Sequence, residues 1–110
     1  MEIDKELLKG CIDTILMCLL NEKPMYGYEL AQTVRKVSEE NFELKEGTLY
    51  LALKRLEKNN YVESYWYDGQ SGGGRRKYYK NTIKGKEYLC KKKEEWVFLN
   101  NIMNRFLGGI

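Results

Sequence analysis

The side chains able to do covalent or metal chemistry are few in this chain and poorly spaced for it. There is no histidine at all, which removes the commonest general base and the commonest metal ligand together. Cys11, Cys18 and Cys90 are odd in number and lack a CxxC pairing, so neither a disulfide framework nor a zinc site is expected. Cys11 and Cys18 fall on one helical face and read as core, not as a redox pair. The acidic residues are scattered, with no nucleophile set beside a base. No enzyme activity, cofactor or metal is expected from these residues.

What the chain does offer is positive charge in short clusters. Lys54–Arg55, Arg75–Arg76–Lys77 and Lys91–Lys92–Lys93 concentrate cations, while Glu39, Glu40, Glu43 and Glu46 are gathered elsewhere. The formal net charge is only +3, so placement matters more than total charge, and an architectural protein that coats DNA is disfavoured. Phosphate pairing and base contact remain as the available chemistry. The lysine run at 91–93 reads as a solvated helix face. No apolar stretch is long enough to span a bilayer. Met1-Glu2-Ile3-Asp4-Lys5-Glu6 does not resemble an export signal, so a cytoplasmic protein without a membrane partner is expected.

The elements that must hold these residues follow from periodicity. Leu7, Leu8, Cys11, Ile12, Ile15, Leu16, Leu19 and Leu20 recur at helical spacing and predict one helix from its N-cap, Asp4, to about Asn21. Gly10 inside it costs up to about 1 kcal/mol relative to alanine. Asn21-Glu22-Lys23-Pro24 is a turn, and a second helix is expected over about 26–38 with Tyr26, Leu30, Val34 and Val37 on one face. Phe42 and Leu44 anchor the connection to a third helix over about 46–59. There Leu49, Ala52, Leu53 and Leu56 point inward. Gly47, Leu51, Lys54 and Lys58 lie opposite, flanked by Thr48 and Arg55 on one side and Tyr50 on the other.

Tyr61–Tyr67 is aromatic and roughly alternating, which predicts a strand; 68–74 predicts a hairpin loop, and Arg75–Asn81 the returning strand. Thr82 then caps a last helix running to about Leu107 and ended by Gly108-Gly109. The fold class is therefore mainly α with a small β-hairpin: a winged helix-turn-helix over 1–81 and a long C-terminal dimerisation helix over 82–110, forming one compact unit.

Two helices joined by a short connection, the second basic on its outer face, suit the major groove of DNA. Thr48 and Tyr50 can hydrogen-bond, Leu51 can touch a thymine methyl, and Lys54, Arg55 and Lys58 can pair with phosphate or guanine. Arg75, Arg76 and Lys77 stand at the hairpin stem, within reach of phosphates or a minor groove. A glycine-rich loop also cradles nucleotides, but such loops lead into a helix N-terminus, and this one leads into a strand. A winged helix that binds only protein would not need the arginine-rich hairpin.

These residues resemble the PadR family of bacterial transcriptional regulators. The match runs through Tyr26-Gly27-Tyr28-Glu29-Leu30, Glu46-Gly47-Thr48-Leu49-Tyr50 with Leu53-Lys54-Arg55-Leu56-Glu57, Tyr61-Val62-Glu63-Ser64-Tyr65-Trp66, Gly74-Arg75-Arg76-Lys77-Tyr78-Tyr79, and Thr82 with Gly85. It covers essentially the whole chain and is similar to the short subgroup with a single C-terminal helix. Two positions depart from the pattern. Asn60 stands where glycine is usual, and it tolerates the left-handed backbone needed there. Asn81 stands where an apolar residue usually precedes the Thr-x-x-Gly.

The resemblance implies a homodimer on double-stranded DNA, with a palindromic operator, that represses a nearby gene until a small aromatic or hydrophobic effector binds. The last helix would span about 35–40 Å, more than a three-helix core can cover. Leu89, Lys92, Trp96, Leu99, Met103 and Phe106 recur along it at spacings of three and four, widened by Ile102 and Leu107. With Leu8 and Ile15 of the first helix, Leu89, Trp96, Leu99, Met103 and Phe106 are the expected dimer interface. Trp96 is either an anchor of that interface or, paired about a two-fold axis, one wall of an effector pocket. Leu7, Cys11, Asp13, Thr14, Leu99 and Asn100 are the expected remaining walls, with Asp13 offsetting Lys93.

Overall fold

The protein's computed structural model describes residues 3–69 and 74–108. The chain runs through α1 (Lys5–Lys9), α2 (Ile12–Leu20), β1 (Met25–Tyr26), α3 (Gly27–Val37), α4 (Glu46–Lys58), β2 (Val62–Asp68), β3 (Arg75–Asn81) and α5 (Ile83–Leu107). The three strands form an antiparallel sheet in the order β1-β3-β2. Residues 70–73 of the expected hairpin loop, and Gly109 of the expected helix stop, lie outside the described residues.

Helical periodicity becomes a core here because α2, α3 and α4 each offer one apolar stripe to the others. Leu16, Met17, Leu30, Leu49, Leu53, Leu56 and Val62 are fully buried where those stripes meet the base of β2. At roughly 1.5–3 kcal/mol for each large apolar side chain removed from water, this cluster outweighs any surface ion pair in the molecule.

Three expectations are corrected. The first helix is two helices, because Gly10 is a weak helix former and Cys11 ties back locally: its amide donates to the Leu8 carbonyl at 2.8 Å and its thiol to the Leu7 carbonyl at 3.3 Å. The expected N-cap holds, with the Asp4 carboxylate accepting from the Glu6 amide at 3.2 Å. The segment before α3 is a short third strand, Met25 opposite Tyr79 and Tyr26 opposite Tyr78, too brief for any alternation to be read. Val37 does not join the core and is 69% exposed. Just beyond it the chain turns away through Glu39 and Glu40, both left-handed (φ 53° and 67°).

Asn60 does adopt the left-handed conformation (φ 62°), letting the Tyr61 amide return to the Leu56 carbonyl at 2.9 Å. The second departure, Asn81, is buried at the end of β3, where its side-chain amide donates to the Met17 carbonyl at 2.9 Å. That carbonyl already accepts from the Asn21 amide, and Asn81 Oδ1 has no hydrogen-bond partner among the described residues. A buried unpaired acceptor costs about 1–3 kcal/mol. Asn81→Leu, similar in shape, is therefore expected to raise the melting temperature by about 4–8 °C, read by circular dichroism at fixed protein concentration. An unchanged or lower value would mean that the bond to Met17 is worth more than the orphaned oxygen costs.

Candidate nucleic-acid interface

The outer surface of α4 is set by the burial of its inner one. With Leu49, Ala52, Leu53 and Leu56 locked in the core, Thr48, Leu51, Lys54 and Lys58 are exposed together. The spacing places Leu51, Lys54 and Lys58 on the outer side, with Gly47, and Thr48 on its flank, and all five are exposed. Leu51, 66% exposed, has no packing role that would explain an apolar residue at that position.

Tyr50 behaves differently from its neighbours. Its ring leans over the start of α3, so close to Gly27 that a Cβ there would stand 2.2 Å from the Tyr50 hydroxyl oxygen. Gly27, Tyr28, Ala31, Leu44, Glu46, Leu49 and Tyr50 share one small cavity between the two helices. Tyr50 therefore braces the pair of helices, although it remains partly exposed. The Tyr-Gly of one motif and the final Tyr of the next meet physically at this point.

Arg55 stands on the expected flank of α4, but it is already paired within the chain. Its Nη2 lies 2.5 Å from Asp13 Oδ1 and its Nε 3.1 Å from Oδ2, a two-pronged pair joining α2 to the second half of α4. The hydrogen bonds that Arg55 donates to the Asp13 carboxylate raise its guanidinium above its already high ordinary range. Asp13 is thereby turned toward α4 and away from the pocket in which it was expected to be a wall.

The hairpin stands beside α4, tied to it by Ser64 Oγ donating to Glu57 Oε2 at 2.6 Å. Its three cations do not share a face. Arg75 lies 5.2 Å over Trp66 and 3.4 Å from Asp68, Arg76 lies 4.6 Å over Tyr26, and half-buried Lys77 reaches toward the Tyr79 ring at 5.7 Å. Strand alternation is the cause, since Arg76 points opposite to Arg75 and Lys77. Burial pushes the Tyr79 hydroxyl above its ordinary range, with Glu57 and Tyr50 adding to the effect.

The last helix has two halves. Its first turn is pinned: the Thr82 hydroxyl accepts from the Gly85 amide at 3.0 Å and donates to the Asn60 carbonyl at 2.6 Å. Leu89, expected at a dimer interface, is instead 2% exposed in the chain's own core, because the stripe passes over α2 before it leaves the domain. Beyond it Trp96, Leu99, Met103 and Phe106 are exposed, Phe106 by 82%. Leu107, on the same stripe, is exposed too, as are Val97 and Phe98 on other sides of the helix. Leu8 and Ile15 are half-buried.

Two clefts flank Trp96. One, of about 340 Å³, is lined by Leu7, Cys11, Trp96 and Leu99 together with Glu6, Gly10, Lys92 and Glu95. The other, of about 410 Å³, is almost wholly apolar and brings Cys11, Thr14 and Trp96 together with Ile15, Cys18, Leu19 and Val37. Asn100 is exposed and lines neither. Val37 was unreadable as a cleft residue, because a residue at the end of a helix's inner stripe carries no signal of what passes beside it. Among the described residues no helix is long and apolar enough to cross a membrane.

Comparison with known proteins places this geometry among relatives. Residues 15–91 match the family model described as the transcriptional regulator PadR-like family. A transcriptional regulator of Clostridium thermocellum is 39% identical and superposes with a TM-score of 0.86, covering 94% of this chain and 97% of that one. A PadR family transcription regulator from Clostridium difficile R20291 is 50% identical with a TM-score of 0.79, over 88% and 98% of the two chains. An uncharacterized protein of Lysinibacillus sphaericus is 38% identical over 108 residues, 98% of each chain.

Proposed function

The chain belongs to the PadR-like family of transcriptional regulators, which bind DNA, and from that premise we propose that it acts as a homodimeric repressor on a palindromic operator in the cytoplasm. The observation that carries this reading is the exposed face of α4, where Thr48, Leu51, Lys54 and Lys58 stand clear of a fully packed inner face. That helix enters the major groove, with Thr48 and Leu51 toward base edges and the two lysines toward phosphate or guanine. Arg75 and Arg76 contact the flanking backbone from the wing.

Dimerisation is supported by the far half of α5. Trp96, Val97, Phe98, Leu99, Met103, Phe106 and Leu107 expose apolar surface on a 25-residue helix that outruns its own core, and a helix apolar on several sides is one that an assembly buries. Two such helices, related by a two-fold axis, set the recognition helices one DNA turn apart. Regulation follows from the clefts at Trp96, whose apolar walls and indole suit a planar aromatic or hydrophobic effector.

The test is fluorescence anisotropy of the purified protein on DNA from upstream of its own gene, beside a scrambled duplex of equal length, over a range of salt. Preference for the upstream DNA of roughly a thousandfold is the expected result. Binding that is equal on both duplexes and vanishes at moderate salt would overturn the reading of a specific regulator of that promoter.

A further inference from the structure

We infer that Asp13 sets the DNA affinity of this protein by holding Arg55 in an intramolecular ion pair, withholding one cation of the recognition helix from the phosphate backbone. The inference rests on the DNA-binding role of α4 proposed above.

Arg55 lies seven positions after Thr48 on the same flank of α4, so it stands one face away from Lys54 and Lys58. Its side chain is half exposed, so part of it already faces solvent. What holds it is Asp13: Nε and Nη2 each donate to one carboxylate oxygen, at 3.1 and 2.5 Å. This fork geometry is the one in which a guanidinium binds a phosphate. Asp13 thus occupies on the protein the donor pair that a phosphate oxygen would otherwise take. The carboxylate is itself the less exposed partner, anchored on α2 beside the buried Ile12, Leu16 and Met17, so it does not follow Arg55 outward. Lys54 and Lys58 have no such partner among the ion pairs of the described residues. The recognition helix therefore carries three cations and presents two.

The consequence is one of balance. A phosphate contact strengthens binding to every sequence alike, so an unmasked Arg55 would hold the protein on non-specific DNA as firmly as it helped on the operator. Neutralising it limits that retention while leaving base readout intact.

The salt dependence of binding measures this directly, because each phosphate neutralised by a cation steepens the slope of log affinity against log salt by about 0.9. Asp13→Asn, which keeps the shape and removes the charge, is expected to steepen the slope by about 0.9 and to raise affinity at low salt about threefold or more, on operator and scrambled duplexes equally. Arg55→Ala in the native background is expected to leave the slope as it is. The double variant Asp13→Asn/Arg55→Ala is expected to return to the native slope. Thermal melts of all three establish that each is folded, and the Arg55→Ala comparison stands without the Asp13 variant.

An Asp13→Asn slope equal to the native one, or a weaker affinity, would overturn the inference and make the pair a brace for α4 alone. A native slope that Arg55→Ala reduces by about 0.9 would overturn it as well, by showing Arg55 already on the phosphate. Failure of the native protein to bind either duplex is a different result, one that removes the DNA-binding role itself.

Discussion

Gly85→Ala is expected to lower the melting temperature by about 10–20 °C, the result of a destabilisation of about 2–4 kcal/mol. Gly85 is buried in the first turn of α5, directly over the carbonyl of Tyr61. A Cβ added there would stand 1.9 Å from that oxygen, 2.9 Å from its carbon and 3.2 Å from the Met17 methyl. Two of those atoms are backbone, fixed by the Thr82 amide donating to the same carbonyl at 3.0 Å and by pairing of β2 with β3. No rotamer change can relieve the contact; α5 itself must lift. Lifting it breaks the Thr82 cap, whose loss alone costs about 1 kcal/mol, and draws Leu89 out of the core. Gly47→Ala is the control, because a Cβ at that exposed helical position meets nothing within 4 Å. Its melting temperature is expected to stay level or rise slightly. A Gly85→Ala protein that melts within a few degrees of the native one would show that α5 is loosely seated on the sheet.

Removal of both exposed lysines of α4, Lys54→Ala/Lys58→Ala, is expected to weaken operator binding about a hundredfold and to flatten the salt slope by as much as about 1.8. Both side chains are exposed on α4 and neither supports the core, so folding should not change. The two measurements separate roles. A lysine on phosphate lowers affinity for all sequences and flattens the slope by about 0.9; one that reads guanine costs about 1–3 kcal/mol and relaxes discrimination at one base pair. Melting curves and anisotropy on the same samples decide the matter. Native affinity in the double variant would mean that the wing, not α4, carries the contact with DNA.

These two variants mark the division between what was legible beforehand and what was not. The apolar spacing of Leu49, Ala52, Leu53 and Leu56 fixes which side of α4 faces outward, so Lys54 and Lys58 could be assigned from the sequence and stand where expected. Local backbone chemistry was equally readable. Asp4 and Thr82 cap helices through their own side chains, and Asn60 adopts the left-handed turn that an asparagine tolerates. Such features depend on neighbours a few residues away, and the sequence holds those neighbours in order.

The clash waiting at Gly85 depends instead on the carbonyl of Tyr61, brought beneath it by the return of the hairpin. Arg55 looked like one more outward cation until α2 laid Asp13 against it across 42 residues of sequence. Leu89 and Phe106 sit on the same stripe, yet one is core and the other solvent-facing, because only the first half of α5 passes over the domain. Periodicity thus determined most of the elements and their inner faces, and the quoted motifs carried the family resemblance. Only the tertiary structure decided which charges are free and which are spent on one another, because an ion pair or a backbone approach is a property of two surfaces meeting, and neither surface alone encodes the other.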